Sequence, residues 1–362
     1  MSKPRLIAFY LPQFYPTPEN DEWWQKGFTE WTNVGNAKPL FRGHYQPRVP
    51  ADLGYYDLRV PEVREEQAQL AREAGIEGFC YWHYWFAGRR LLDRVFREVV
   101  ESGKPDFPFC LCWANHSWYQ KTWDPTKPDR LLIEQTYPGK QDFIDHFYAL
   151  LPAFKDKRYI KVNGKLLFGI FVPREFNKEL FHAFSTIWSN LAETNGLGGF
   201  EFYGFCNNSS EIDVLLDNGF PHVTMDYLME MLKTSSFGSN VAKRIYRSIS
   251  GYPNKVYEYE KYMNYALNHF DTTKPVYPCV VPNFDHSPRS SNRGFILHNS
   301  TPEKWEKYCA KVFSMFSNRS HEENVVFIKA WNEWGEGNYL EPDLKYGRAY
   351  IDATRQAYNK VK

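Results

Sequence analysis

Two glutamates near the end of the sequence have the residue type and spacing that acetal chemistry needs. Glu333 and Glu336 lie three residues apart in the segment 331–337, WNEWGEG. Burial beside bulky rings raises the pKa of a carboxyl group, and a second carboxylate nearby raises one of the two further. Such a pair therefore separates into a proton donor and an anion, which is what cleavage of a glycosidic bond requires. The alternative interpretation is a strand end followed by two solvated loop glutamates.

The elements that would position this pair are short apolar strands alternating with helices. The glutamates follow the apolar run 325–328, which predicts a buried strand. Seven similar runs precede it, at 6–11, 76–82, 107–113, 166–172, 200–206, 222–226 and 276–281. Helices are predicted over 60–74, 89–101, 139–151, 178–194, 209–217, 253–270 and 345–360, and another begins at Thr301-Pro302-Glu303.

Eight near-continuous apolar strands indicate a parallel sheet covered on both faces. We therefore predict an α/β fold, a (β/α)8 TIM barrel with long βα loops, forming a single catalytic domain over residues 1–362. An open, doubly wound sheet would normally carry a glycine-rich loop after its first strand, and the segment 12–16, PQFYP, has none. The segment 12–57 shows no helical period and is predicted to be a long functional loop.

Active sites of such barrels lie at the C-terminal ends of the strands. The residues just past each predicted strand are polar or aromatic, whereas the strands begin with apolar residues, so we predict a polar cleft at one barrel mouth. The predicted substrate-binding residues are Tyr10, Gln13, Trp82, His83, Tyr84, Trp113, Asn115, His116, Trp118, Asp226, Asn283, Trp331 and Asn332. Taken singly, His83 and the tryptophans also fit core positions, and the asparagines also fit backbone caps of turns.

Composition excludes several functional classes. The 362 residues are 43% hydrophobic, so a large core is expected. The 44 Lys and Arg residues balance 43 Asp and Glu, and a net charge of +1 argues against binding of nucleic acid or membranes through bulk charge. No stretch is long enough to span a membrane. Aromatic residues make up 18%, many of them in loop-like contexts that suit the flat faces of sugars.

The cysteines and the first residues bear on the compartment. Most of the six cysteines fall in strand-like runs, where Cys behaves as a small buried apolar residue. We therefore expect reduced thiols and a cytoplasmic protein. The first 16 residues have too short an apolar segment for a signal peptide, and no cleavage-site pattern follows. Nothing in the sequence indicates the oligomeric state.

Other chemistries are less well supported by the sequence. Cys110 and Cys112 lie on the same face of a predicted strand and His116 follows, but no second ligand pair comes at a zinc spacing. Neither a G-x-S-x-G elbow nor a Walker loop is present. We predict no metal site and no cofactor, since a carboxylate mechanism needs none.

Five motifs in order along the chain resemble the WbsX-type family, a bacterial branch similar to glycoside hydrolase family 99, the endo-α-mannosidases. They are GFTEW at 27–31, the stretch from Lys38-Pro39 to Pro47, YWHYWF at 81–86, FCLCWAN at 109–115 and WNEWGEGNYLEPD at 331–343. The resemblance implies a (β/α)8 barrel and a role connected with surface polysaccharide. Glu30 and Trp31, in the first motif, join the predicted substrate-binding residues.

The resemblance also implies a mechanism that retains anomeric configuration. Carried over by position, Glu333 would deprotonate the sugar 2-hydroxyl, which attacks the anomeric carbon to give a 1,2-anhydro sugar. Glu336 would protonate the leaving oxygen and later activate water. One departure is His116-Ser117, where the family pattern has Glu-Asn, and this affects the expected substrate rather than the fold.

Three functions therefore remain open from the sequence. The first is a retaining glycoside hydrolase acting on α-linked bacterial polysaccharide. The second is a glycosyltransferase of polysaccharide synthesis, although no glycine-rich phosphate loop or D-x-D motif is present. The third is a carbohydrate-binding barrel without catalysis, which would rely on aromatic stacking alone.

Overall fold

Eight parallel strands close into a barrel in the computed structural model, which describes residues 2–121, 128–234 and 255–361. Each strand pairs with the next along the chain, and the eighth pairs with the first. The prediction of a (β/α)8 barrel is confirmed. The strands are β1 Arg5–Tyr10, β2 Gly78–Phe86, β3 Phe109–Trp113, β4 Lys165–Ile170, β5 Phe200–Cys206, β6 His222–Met225, β7 Val276–Val280 and β8 Val325–Ile328.

Helices follow the strands around the barrel. Those in the described residues are α1 Pro18–Trp23, α2 Glu30–Asn36, α3 Pro61–Ala74, α4 Arg94–Ser102, α5 Lys140–Phe154, α6 Lys178–Thr194, α7 Ser210–Asp217, α8 Leu228–Thr234, α9 Tyr259–His269, α10 Ser287–Ser290, α11 Pro302–Met315 and α12 Ala349–Lys360. Short 3-10 turns cover Pro173–Glu175, Ser291–Arg293 and Trp334–Glu336. Among the described residues, no helix has both the length and the apolar character to cross a membrane.

Short pairs of strands lie outside the eight strands of the barrel. Arg89–Leu91 pairs with the end of β2, Trp118–Gln120 with Arg130–Ile133, Lys161–Val162 with β4, Lys255–Glu258 with Phe295–His298, and Asn332–Glu333 with Asn338–Tyr339. The last pair is important for function because it carries the candidate glutamates out of β8.

Several predicted elements needed correction. The segment 12–57 is not without helices, because Thr17 and Thr29 accept backbone hydrogen bonds that cap α1 and α2. The helix predicted from residue 89 begins only at 94, because 89–91 pair antiparallel with β2. The helix predicted over 253–270 is α9, and residues 253 and 254 lie outside the described ranges.

Aromatic rings fill the barrel interior below the mouth. The Phe9 ring stacks on Trp82 with centroids 4.7 Å apart and on Phe327 at 5.2 Å. Phe205 meets the Phe9 ring edge-on at 6.2 Å. All six cysteines are buried and unpaired. The interior is thus a packed core and not a pore.

Gly169→Ala should destabilise the barrel, because a methyl group on β4 would overlap the Tyr203 ring and lie 2.7 Å from Cys112 Sγ. Overpacking of this kind costs about 1–3 kcal/mol. The matched control is Gly35→Ala in α2, where a methyl group meets nothing within 4 Å. Urea unfolding should give a lower midpoint for the first variant only, and equal midpoints would show that the interior is loosely packed.

Candidate active site

Three carboxylates converge on one guanidinium at the C-terminal mouth of the barrel. Arg289 Nη1 donates to Glu336 Oε1 at 2.6 Å, and Nη2 lies 3.3 Å from Glu333 Oε2. On its other side the same guanidinium contacts Glu30 Oε2 through Nε at 3.1 Å and Nη2 at 3.0 Å. Glu30 follows β1, Arg289 follows β7 and the glutamate pair follows β8. Residues distant in sequence are therefore joined at one point.

The local backbone explains why the two glutamates face the same way. Glu333 ends the short strand Asn332–Glu333, and Glu336 lies in the 3-10 turn Trp334–Glu336 that follows it. Asn332–Glu333 pairs antiparallel with Asn338–Tyr339, so the turn folds Glu336 back beside Glu333. Gly337 then reverses the chain with φ +53°, in the left-handed region, which glycine tolerates best. The three-residue spacing noted in the sequence is thus converted into a convergent pair.

Gly335 provides the space in which Glu30 lies. A methyl group at this position would overlap Glu30 Oε2 and lie 3.0 Å from Arg289 Nε. The other carboxylate oxygen of Glu30 accepts a hydrogen bond from Gln13 Nε2 at 2.9 Å. Gln13 and Glu30, two of the predicted positions, therefore lie at the site. Glu30 holds the guanidinium of Arg289, and Gln13 holds Glu30.

Charges in the site push the pKa values of the pair apart. Burial raises the pKa of Glu333 to about 8, and the neighbouring carboxylates Glu336 and Glu30 add to the effect, against the opposing charge of Arg289. Burial acts in the same direction on Glu336, but the opposing charges of Arg289, His286 and Lys329 together outweigh it and lower the pKa of Glu336 below the usual value. These environments favour a neutral Glu333 and an ionised Glu336 at neutral pH.

Backbone contacts fix the loop that carries the pair. The Asn332 amide accepts from Leu11 N at 2.7 Å and donates to Leu11 O at 3.1 Å, so the ends of β1 and β8 are tied together. Asp285 N donates to Glu336 O at 2.6 Å, and Arg48 Nη1 donates to Gly337 O at 2.9 Å. Asn332 is thus placed as a buried cap of the loop.

A buried carboxyl group supports the loop from below. Glu341 accepts hydrogen bonds from Trp334 Nε1 at 2.6 Å, Gln67 Nε2 at 2.6 Å and Tyr56 OH at 2.9 Å. Burial raises the pKa of Glu341 to about 7. Tyr10 OH donates to Gln67 at 2.7 Å, so Tyr10 belongs to this supporting network and not to the mouth.

A second network holds the β7 loop. Asp285 Oδ2 accepts from Gln46 Nε2 at 2.7 Å and from His44 Nε2 at 2.8 Å. His44 Nδ1 accepts from Leu40 N, so Nε2 carries the ring proton. Although burial opposes it, hydrogen bonding to His44 and the Arg48 charge lower the pKa of Asp285 to about 2. Asn283 belongs here too, because its side chain accepts from Arg48 at 3.1 Å.

Several predicted residues do line the mouth. Tyr84 is close enough to Glu333 for that charge to raise the pKa of its hydroxyl, which burial already raises. Trp118 meets the Tyr84 ring edge-on at 5.0 Å. Trp82 and His116 both pack on Phe171, at 4.9 Å and 5.7 Å. Tyr84 is therefore the ring of this group that lies beside the carboxylates.

Trp31 and Trp331 lie behind the loop that carries Glu333 and Glu336. Trp31 donates Nε1 to Tyr56 O at 2.7 Å, and its ring lies 5.5 Å from that of Trp334. Trp331 is fully buried and packs on Phe79 at 5.5 Å. Their positions support the loop.

Three predicted substrate contacts belong to the barrel wall instead. His83 Nε2 is 2.8 Å from His146 Nε2 on α5, so it is the packed core histidine of the alternative interpretation. Trp113 is fully buried and lies edge-on to His146 at 4.7 Å. Asn115, also fully buried, bridges the ends of β3 and β4 through Val172 N and O, at 2.8 Å and 3.0 Å. Substrate in the mouth would not reach these side chains.

Two cations at the site escaped the sequence analysis. Lys329, directly after β8, lies 3.0 Å from the predicted residue Asp226 and 5.1 Å from the Phe205 ring centroid. Arg289 lies in the loop after β7. A cation just past a strand was the available signal, but loop arginines and lysines are usually solvated. Within the described residues, no group of three or more His, Cys, Asp and Glu side chains is arranged to hold a metal ion.

Comparisons with known proteins identify the family and the fold. A family model described as glycosyltransferase WbsX matches residues 6–354. Two relatives from Xanthomonas campestris pv. campestris, both described as uncharacterized protein WxcX, are 36% identical over 364 residues, covering 98% of this chain and 50% of theirs. The chain thus spans about half the length of the curated relatives it matches.

The fold is shared with solved glycoside hydrolases. The GH99 endo-alpha-mannosidase from Bacteroides thetaiotaomicron, solved with Bis-Tris propane, has a TM-score of 0.58 and 14% identity, covering 100% of this chain and 98% of that one. A glycoside hydrolase-like protein gives a TM-score of 0.59 at 14% identity, covering 100% and 95%. At this identity the likeness shows the barrel fold.

Replacing Glu333 by glutamine should make stability less dependent on pH. Between about pH 4.5 and pH 8 the folded protein keeps a proton on Glu333 that the unfolded chain releases, so wild-type stability falls as pH rises through this window. Glutamine is neutral throughout, and each pKa unit corresponds to about 1.4 kcal/mol. The Tm of Glu333→Gln, relative to wild type, should therefore be higher at pH 8.5 than at pH 5.

The control for this measurement is Glu179→Gln, at an exposed position in the first turn of α6. It removes an exposed carboxyl group and gives the baseline against which the Glu333→Gln difference is compared. A Tm difference for Glu333→Gln with the same pH dependence as this baseline would contradict a raised pKa of Glu333.

Proposed function

This chain belongs to the WbsX family, and on that basis we propose that it is a retaining glycoside hydrolase that cleaves α-linked bacterial surface polysaccharide or oligosaccharide of the O-antigen or capsule type. The observation that carries the proposal is the Glu333/Glu336 pair at the mouth of a glycoside hydrolase-like barrel. Arg289 contacts both side chains, and the pKa of Glu333 is raised while that of Glu336 is lowered. Two such carboxyl groups supply the donor and the anion that glycosidic cleavage uses.

The bond changes follow from neighbouring-group chemistry. One carboxylate accepts the proton of the sugar 2-hydroxyl while that oxygen bonds to C1. The C1–oxygen bond to the leaving group breaks, and the protonated carboxyl group gives its proton to the departing oxygen. Water then attacks C1 and opens the 1,2-anhydro ring, with its proton taken by the second carboxylate and the first proton returned to O2. Two inversions at C1 leave the anomeric configuration unchanged.

Aromatic rings near the pair support a carbohydrate substrate. Tyr84 lies beside Glu333 and Trp118 packs edge-on against Tyr84, and aromatic faces stack on the weakly apolar faces of sugars. No cofactor enters this proposal. We also propose that the protein is cytoplasmic. The curated relatives are about twice as long as this chain, so for a protein of that full length the same activity is a proposal as well.

The alternative function is a glycosyltransferase of surface polysaccharide synthesis. It is favoured by the family description, glycosyltransferase WbsX. A transferase would bind a nucleotide sugar or a lipid-linked sugar, and calorimetry with a panel of nucleotide sugars is the direct check. Tight binding of one of them, combined with no release of reducing ends from any glycan, would replace the hydrolase proposal.

Glu333→Gln and Glu336→Gln should each lower hydrolysis by at least about a hundredfold, since each removes a general acid or base. Purified protein would be screened against bacterial O-antigens and capsular glycans, with reducing ends measured. Sugar binding by either variant, measured calorimetrically, should persist because the aromatic side chains of Tyr84 and Trp118 are unchanged.

Exposed Glu179→Gln serves again as the matched control and should keep full activity. Near-normal turnover by both site variants would eliminate the glutamate mechanism. Reducing ends released by wild type and lost in both variants would exclude a purely sugar-binding barrel.

A further inference from the structure

Arg289 contacts the two glutamates unequally. Its Nη1 forms a 2.6 Å bond to Glu336, whereas only Nη2, at 3.3 Å, faces Glu333. That Nη2 also lies 3.0 Å from Glu30. Charge-assisted hydrogen bonds of about 2.7–2.9 Å are the strong ones, so the contact to Glu336 stabilises an anion more than the contact to Glu333 does.

We propose that Arg289 is a positioning residue that decides which glutamate carries the proton: it holds Glu336 as the anion and leaves the proton on Glu333. The catalytic meaning of this assignment rests on the proposed hydrolase function. The assignment itself is a property of the protein without substrate.

The position of the guanidinium is set by structure on every side. Glu30 binds Nε and Nη2 through one oxygen, while its second oxygen is held by Gln13. Gly335 leaves room for that carboxylate. The Arg289 backbone N–H donates to His286 O at 3.2 Å, and Asp285 N–H ties the same loop to Glu336 O. The planar fork is therefore pre-oriented, which a flexible ammonium would not be.

The other charged groups around the pair act on Glu336 in the same direction as Arg289 but less strongly. Lys329 is also engaged with Asp226 at 3.0 Å. The His286 ring is bonded to Ser290 Oγ at 2.7 Å, and burial lowers its pKa, so its charge acts only below neutral pH. Tyr84 is neutral, because burial raises its pKa. Arg289 already bonds Glu30 and Glu336 closely, so a negative charge on Glu333 would meet the guanidinium only through the 3.3 Å contact of Nη2.

The assignment has a consequence for the reaction. In the resting site Glu336 is the anion and Glu333 carries the proton. The resemblance implies Glu333 as the base and Glu336 as the acid. With those roles, substrate binding must weaken the contact of Arg289 to Glu336 and move the proton from Glu333 to Glu336 before the leaving group departs.

The test is carboxyl titration of substrate-free protein labelled with ¹³C at glutamate Cδ, followed by NMR. Wild type should show two glutamates that remain protonated at pH 6, Glu333 and Glu341, and Glu333→Gln should remove one of these two signals. In Glu336→Gln, Nη1 is released from its partner and the pKa of Glu333 should fall by at least one unit. The proposal is overturned if both signals persist in Glu333→Gln and one of them vanishes in Glu336→Gln.

Variants of the arginine complete the test. Arg289→Gln should raise the pKa of Glu336 by at least one unit, and Arg289→Lys, which keeps the charge, should hold it low. Unchanged titration of Glu336 in Arg289→Gln would overturn the proposal. The control is Arg42→Gln at an exposed position, which should change neither titration.

If Arg289→Gln does not fold, Glu30→Gln provides a second test of the proposal. This change removes an anion and frees Nη2 for Glu333, so the pKa of Glu333 should fall, and an unchanged pKa would contradict the proposal. Because none of these measurements needs a substrate, correct titration without hydrolysis would refute the function alone. Reversed titration in an active enzyme would refute the assignment alone.

Discussion

The architecture of the mouth depends on one guanidinium shared by three carboxylates. Glu30, Glu333 and Glu336 all approach Arg289 within 3.3 Å, in a place where the barrel and its loops exclude most water. Without a cation, three acids so close would repel one another or become protonated. The topology explains how they meet, since β8 lies between β7 and β1 in the barrel and the three loops are neighbours at its C-terminal rim.

The other buried polar residues of the site hold this cluster of side chains in place. Asn332 ties β8 to β1, Glu341 supports Trp334 from below, and Asp285 and Arg48 hold the turn at Gly337. Each of these residues is buried and hydrogen-bonded, although Arg48 Nε has no partner, and buried polar networks of this kind favour one arrangement. The loop that carries the glutamates is thereby held in place, which suits a pair that must share proton transfer over a short distance.

The sequence was informative where periodicity and spacing carry the signal. Eight apolar runs predicted the barrel, and the three-residue spacing predicted the carboxyl pair. It was less informative where side-chain direction matters. Along β2, Trp82 and Tyr84 face the interior while His83 faces α5, so treating consecutive residues as one group placed a wall histidine in the cleft. Alternation along a strand could have separated them. Arg289 and Lys329 could not be found in this way, because only the closed barrel brings the β7 loop against β8.

The central claim is that this glutamate pair cleaves a glycosidic bond with retention, on a fold shared with GH99 endo-alpha-mannosidase and in a family described as glycosyltransferase WbsX. The most direct measurement is a proton NMR time course of the digestion of an α-linked surface glycan, recorded before mutarotation. The account predicts that the new reducing end appears first as the α-anomer. A β-anomer formed first, or sugar transfer without any new reducing end, would contradict it.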